Sequence, residues 1–226
     1  KSLGKRLFSL DVFRGLTMFL LIAEAAGFHH NYYELVKDIP LLSTLANQLH
    51  HHPWHGFRFW DLIQPFFMFI VGVAMPFSIK KRLVKNSRKE VNIHILKRCF
   101  LLFAFGVLLH CVYNHSLVWE LWNVLVQLAF TILIAYAIMN LSHKSQIVVS
   151  IGLLILTEAL YRLYDPIAPY SQLDNFGGFM DRILMGKVNN DGWVAINFIP
   201  TAAHTIWGVV CGQLLLAKNK ENGILK

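Results

Sequence analysis

The sequence predicts an all-α protein: a polytopic membrane helix bundle of about six transmembrane helices, both termini on the inner side, built as one domain over residues 1–226. Three observations predict it. The chain is 55% hydrophobic and only 15% charged, whereas soluble domains run at about 25% charged. Its apolar residues fall into long runs without sustained alternation, which favours helices over a barrel. Its 21 Lys and Arg are distributed unevenly about those runs. This composition argues against a water-soluble enzyme and against a disordered chain.

A spanning helix needs about 20 mostly apolar residues. Six segments approach this: Leu10–Ala26, Leu62–Ile79, Cys99–Tyr113, Val118–Met139, Ile147–Leu163 and Trp193–Leu216. The third is short, and Lys97 and Arg98 extend it by snorkelling. No segment reads as a cleavable signal peptide, because the first run lacks a small-residue cleavage site and more spans follow. Cys99, Cys111 and Cys211 lie in apolar stretches and read as packing residues.

With the N-terminus inside, sixteen of the 21 Lys and Arg fall on inner segments, eight of them between Lys80 and Arg98. This is the positive-inside pattern, and it makes the net charge of +8 a topology label rather than a nucleic-acid surface. The histidines do the opposite. Nine of eleven (His29, His30, His50, His51, His52, His55, His110, His115 and His204) map to the outer side. The outer loops, Gly27–Phe57 and Tyr164–Gly192, are also the long ones, where binding and chemistry tend to sit.

Four polar features are candidates for chemistry. Asp11 and Arg14 share a helical face at the inner mouth of the first helix; they form an anchoring ion pair or meet an anionic ligand. Glu24 lies near the outer end of that helix, either at the interface or facing a cavity. The run His50-His51-His52-Pro53-Trp54-His55 and the following Asp61 deliver imidazoles and an acid just before the second helix. An imidazole can act as general base or nucleophile, and Asp61 can orient one or cap the helix. A metal site is the lesser reading, because consecutive residues rarely all converge on one ion. Without further information an outer loop with an aromatic belt is the simpler account. Last, Glu120, Asn123 and Gln127 are spaced as one helical stripe, Glu158 sits in the fifth helix, and Asn197, Thr201, His204 and Thr205 form a polar face in the sixth. Such stripes are interhelical glue or line a ligand path.

Several of these motifs resemble one family. Arg6-Leu7 followed by Leu10-Asp11-Val12-Phe13-Arg14-Gly15 resembles the opening of the membrane domain of the heparan-α-glucosaminide N-acetyltransferase family, including its bacterial members. His51-x-x-Trp54-His55-Gly56, followed by Asp61-Leu62-Ile63-Gln64-Pro65-Phe66, is similar to that family's next block. Asn123-x-x-x-Gln127 is a weaker echo. Asp191-Gly192-Trp193 through Gly208 resembles a bacterial branch of unknown substrate. The family has ten or eleven spanning helices, so six would be roughly its first half.

The resemblance implies transfer of an acetyl group from cytoplasmic acetyl-CoA, as co-substrate, to an extracytoplasmic amino sugar or related glycan, in a bacterial inner membrane. It places the active-site histidine at His51, with Asp61 and Glu24 as further catalytic candidates. The family's Asn near the outer end of the first helix is Ala25 here, with Glu24 adjacent. Arg14, Asn123, Gln127 and His204 are the expected contacts to the donor. No metal and no nucleic acid is expected; the lipid bilayer and a second copy of the chain are the other expected partners. The alternative function is a proton- or solute-coupled transporter, suggested by Glu24, Glu120 and Glu158 with the outer histidines.

Overall fold

The computed structural model describes residues 8–221, with side chains for 8–218. Lys1, Lys5, Arg6 and Lys226, and the side chain of Lys220, lie outside the described residues. Within them the chain is helical, with no strand.

The helices, in order, are α1 (Phe8–Ala25), α2 (Phe28–Val36), α3 (Pro40–Asn47), α4 (Ile63–Leu83, entered through a 3-10 turn at Phe59–Leu62), α5 (Arg88–Tyr113), α6 (Val124–Ile138), α7 (His143–Tyr164), α8 (Phe176–Met185) and α9 (Phe198–Glu221, entered through a 3-10 turn at Ala195–Asn197). Their starts are written locally. Ser87 and Glu90 form a capping box that begins α5 eleven residues before the apolar run expected there. Ser142 and Asn175 cap α7 and α8 by accepting the N–H groups of Ser145 and Gly178. Each such cap is worth about 1 kcal/mol.

Among the described residues four helices, with their entry turns, are long and apolar enough to cross a membrane: Phe59–Leu83, Arg88–Tyr113, His143–Tyr164 and Ala195–Lys218. The expected six therefore stand at four by length and composition. α1 carries Asp11, Arg14 and Glu24 in 18 residues. α6 has only 15 residues, about 22 Å of helix against a hydrocarbon core of about 30 Å.

The shortening of α6 corrects a second expectation. Asn123 does not continue a helix from Val118; its side chain accepts the Leu125 N–H at 2.7 Å and starts α6 at Val124. Glu120 and Asn123 therefore do not share a helical stripe with Gln127.

The bundle is organised around α4 and α9. A Cβ on Gly72 would fall 2.1 Å from the Thr205 carbonyl oxygen, one on Gly208 2.2 Å from that of Phe69, and one on Gly212 2.4 Å from that of Val73. Phe69 thus faces Gly208 and Val73 faces Gly212, so the two helices run parallel with their backbones in contact. Helices in lipid gain little from apolar burial, and close approach over small residues replaces it as the source of packing energy. The Gly208-x-x-x-Gly212 spacing is the sequence form of that contact.

α7 packs antiparallel to α9. Trp207 Nε1 donates to Ser150 Oγ at 2.9 Å, and one turn and a half further Gln146 Nε2 donates to Gln213 Oε1 at 3.1 Å. α5 runs antiparallel to α6, Phe103 meeting Phe130 and Tyr136 Oη donating to Asn92 Oδ1 at 2.5 Å. These alternating directions gather the turns after α4 and α6 and the end of α9 at one end. α2, α3, α8 and both 3-10 turns lie at the other. α1 meets the bundle at this second end, Phe13 resting edge-on against Phe66 at 5.0 Å; of its side chains only Thr17 is buried.

Candidate functional site

The second end carries the two long loops that the sequence places outside, and most of the histidines. Here the chain leaves α3, passes through His50–Arg58 and enters α4. Two contacts to Gln48 fix the entry: the Trp60 N–H donates to its carbonyl at 2.9 Å and the Phe59 N–H to its Oε1 at 3.0 Å. Asp61 then stands in the first turn. Its Oδ2 accepts the Arg58 N–H at 2.8 Å, and its Oδ1 lies 2.8 Å from Nδ1 of His51. The Arg58 guanidinium closes the loop by donating to the His51 carbonyl at 2.9 Å.

An ionised carboxylate can only accept, so a neutral imidazole bonded to it carries its proton on Nδ1 and its lone pair on Nε2. The backbone bond to Asp61 Oδ2 fixes the carboxylate in turn. The His51 side chain is 51% exposed, and its Nε2 makes no hydrogen bond to a described residue. An oriented, accessible imidazole can take a proton from an attacking nucleophile or itself accept an acyl group.

The loop conformation that exposes His51 leaves its neighbours His50 and His52 half-buried. His29 (3% exposed) packs edge-on against Trp60 at 4.3 Å, and His50 packs against His29 and Tyr33. Both ring nitrogens of His29, Nε2 of His50 and Nδ1 of His52 are buried without a hydrogen-bond partner among the described residues. Burial pushes the His29 pKa down, and the nearby charge of Glu24 only partly offsets it. His52 lies against Gly56, whose φ of +155° leaves room for the ring and no room for a Cβ. His55 makes no hydrogen bond and is exposed.

The second outer loop closes on the first. Trp54 Nε1 donates to the Tyr170 carbonyl at 2.8 Å. The Trp54 ring also occupies the space beside Gly192, whose φ of +79° suits glycine. Trp193 meets the His51 ring edge-on at 5.6 Å.

The remaining expected site residues do not join this dyad. The Glu24 side chain is exposed and forms no hydrogen bond or ion pair with a described residue. The sequence places Arg14 at the inner mouth. Here it pairs loosely with Asp11 at 3.8 Å, and its neighbour Phe13 sits against Phe66, at the end of α4 opposite Lys80, Lys81 and Arg82. Asn123 is a helix cap. Gln127 is buried and accepts a hydrogen bond from Gln64, which lies one turn after Asp61 on α4; Thr131 and Met68 continue that polar seam one turn deeper. His204 packs edge-on to Trp207 at 5.4 Å, with Nδ1 buried and unpartnered among the described residues. No group of three or more His, Cys, Asp or Glu among the described residues is arranged to hold a metal ion.

A second carboxylate–histidine pair was not singled out as a site by the sequence. Glu120, 7% exposed, lies 2.6 Å from Nδ1 of His110 and accepts from Lys187 Nζ at 2.5 Å. Burial pushes its carboxyl up, but the hydrogen bonds and charges of Lys187 and His110 together outweigh that and hold it below the usual carboxylate range. Beside it, fully buried Asp181 accepts from Trp122 Nε1 at 2.6 Å and from the Ala195 N–H at 3.0 Å. Lys187, in the loop after α8, and Asp181, within α8, belong to no motif and lie 67 and 59 residues from these partners. Only Gln64, inside the Asp61 block, and the Gly208/Gly212 spacing carried a readable signal.

A family model described as heparan-alpha-glucosaminide N-acetyltransferase, catalytic, matches residues 6–225 of the chain. No curated protein and no solved structure matches it.

Proposed function

This chain belongs to the heparan-alpha-glucosaminide N-acetyltransferase family, and from that premise we propose that it moves an acetyl group from cytoplasmic acetyl-CoA to the amine of an amino sugar, or a related glycan acceptor, on the far side of a bacterial inner membrane. The observation that carries the reading is the His51–Asp61 dyad with Nε2 free. Asp61 orients the ring, and Nε2 takes the proton as the acceptor nitrogen forms its bond to the acetyl carbonyl carbon. The carbon–sulfur bond of the thioester breaks, and CoA leaves as a thiolate that the same proton neutralises. In the two-step variant Nε2 itself attacks, and an acetyl-imidazole passes the group to the amine. The dyad is compatible with both.

The polar seam Gln64–Gln127 and Thr131 descends from Asp61 into the bundle. It offers amide groups to the developing oxyanion or to the donor's amide-bearing arm. The cationic end, with Lys80 and Arg88 flanking a groove beside Asn140, suits the phosphates of CoA.

The test is His51→Ala in the full chain, assayed for acetyl transfer from acetyl-CoA to glucosamine. A fall of about 10²–10⁴-fold is expected for loss of a general base. Undiminished transfer would overturn the role given to His51.

A further inference from the structure

The segment Gly192–Ala195 is pinned at every residue. Gly192 fits against the Trp54 ring, where a Cβ would fall 2.4 Å away. Trp193 meets His51. Val194 lies against Gly177, where a Cβ would come within 2.6 Å of Val194 Cγ1. The Ala195 N–H is held by Asp181, whose second oxygen holds Trp122. This four-residue strap is held to α8, to the loop before α6 and to the His51 loop, yet Trp193 itself is 39% exposed. A large aromatic ring held by its neighbours yet accessible beside an oriented imidazole is the arrangement of a ligand platform rather than of a packing residue.

We propose that the exposed indole of Trp193 is the binding platform for the acceptor, and that its ligand is the pyranose ring of an amino sugar lying on the indole with its nitrogen toward Nε2 of His51. Asp181 is the positioning residue that holds the platform in place. The chemistry matches at two points: the apolar C–H face of a pyranose covers the indole, and an amino-sugar ammonium is drawn to the negative face of the ring. The bound ammonium first loses one proton to solvent; the neutral amine then bonds to the acetyl carbon and gives its second proton to Nε2, which passes it to the CoA thiolate as the carbon–sulfur bond breaks. The proposal rests on the acetyl-transfer reading for the identity of the acceptor, but binding is separable from transfer.

The experiment is equilibrium dialysis of the full chain against labelled glucosamine with no CoA thioester present, followed by steady-state transfer kinetics. Trp193→Ala is expected to weaken glucosamine binding about tenfold and Trp193→Phe about threefold or less. His51→Ala should leave binding in place. Asp181→Asn keeps an acceptor for Ala195 but turns a donor toward Trp122 Nε1; it should raise the KM for glucosamine while the KM for acetyl-CoA stays within about twofold. If Asp181→Asn lowers the thermal midpoint sharply, the exposed Trp193 variants decide alone. Glucosamine binding by Trp193→Ala equal to that of the wild type overturns the platform, as does a wild type that binds no glucosamine. A wild type that binds glucosamine through Trp193 but transfers no acetyl group keeps the platform and defeats the acetyl-transfer reading instead.

Discussion

Nδ1 of His51 lies 2.8 Å from Oδ1 of Asp61, and the other oxygen of Asp61 accepts the Arg58 backbone N–H. The carboxylate is thus fixed before it fixes the ring. Asp61→Asn keeps the shape of this contact but can present an N–H where an acceptor is required, favouring the wrong tautomer. We expect acetyl transfer to fall by about 100-fold or more, with the thermal midpoint nearly unchanged. Activity within a few-fold of wild type would show that the imidazole does not need its orienting carboxylate.

The α4–α9 crossing admits no side chain. Gly208→Ala would place a Cβ 2.2 Å from the Phe69 carbonyl oxygen and 2.9 Å from the Gly72 Cα. Both are backbone atoms, so no rotamer change relieves the clash. The two helices must separate, at a cost of about 1–3 kcal/mol. A lower unfolding midpoint in detergent checks this, and Gly152→Ala is the control, since a Cβ there meets nothing within 4 Å.

His29 makes stability depend on pH. Its folded-state pKa lies below the ordinary imidazole value of 6.5 because burial disfavours the charged ring. As pH falls below about 6.5 the unfolded chain takes up a proton that the folded chain refuses, so this contribution is present above that pH and lost below it. The thermal midpoint should fall between pH 7.5 and 5.5, and His29→Phe should flatten that slope. An equal slope in the variant would place the titrating group elsewhere.

The distribution of Lys and Arg predicts orientation. In intact cells a membrane-impermeant maleimide should label Asp174→Cys, on the outer loop, and spare Lys85→Cys, in the turn after α4, above the background from the three native cysteines. Asp174 is well exposed, with 75% of its side chain accessible. The reverse labelling pattern would invert the topology.

Four of the nine helix starts among the described residues follow from a capping side chain next to them in the sequence. Ser87 with Glu90, Ser142 and Asn175 begin their helices through bonds reaching three residues. The Asn123 cap was readable by the same rule, but an apolar run on both sides of it masked the break. α2, α3 and α8 were less legible, because hydropathy detects spans and not short helices lying over the end of a bundle.

The sequence by itself determined the membrane class, the uneven placement of Lys, Arg and His, and the His51–Asp61 block, because runs of apolar residues and ten-residue spacings are local quantities. Only the tertiary structure decided which of four clustered histidines meets the carboxylate. It decided that Glu24 and Arg14 stand apart from that pair, and that Trp193 lies against it under the hold of Asp181. Those outcomes depend on the directions of side chains on successive residues and on contacts such as Trp54 with Tyr170, separated by 116 residues. Neither is encoded in any short window of the chain; both follow from the packing of α4 against α9, which brings the two outer loops to the same end.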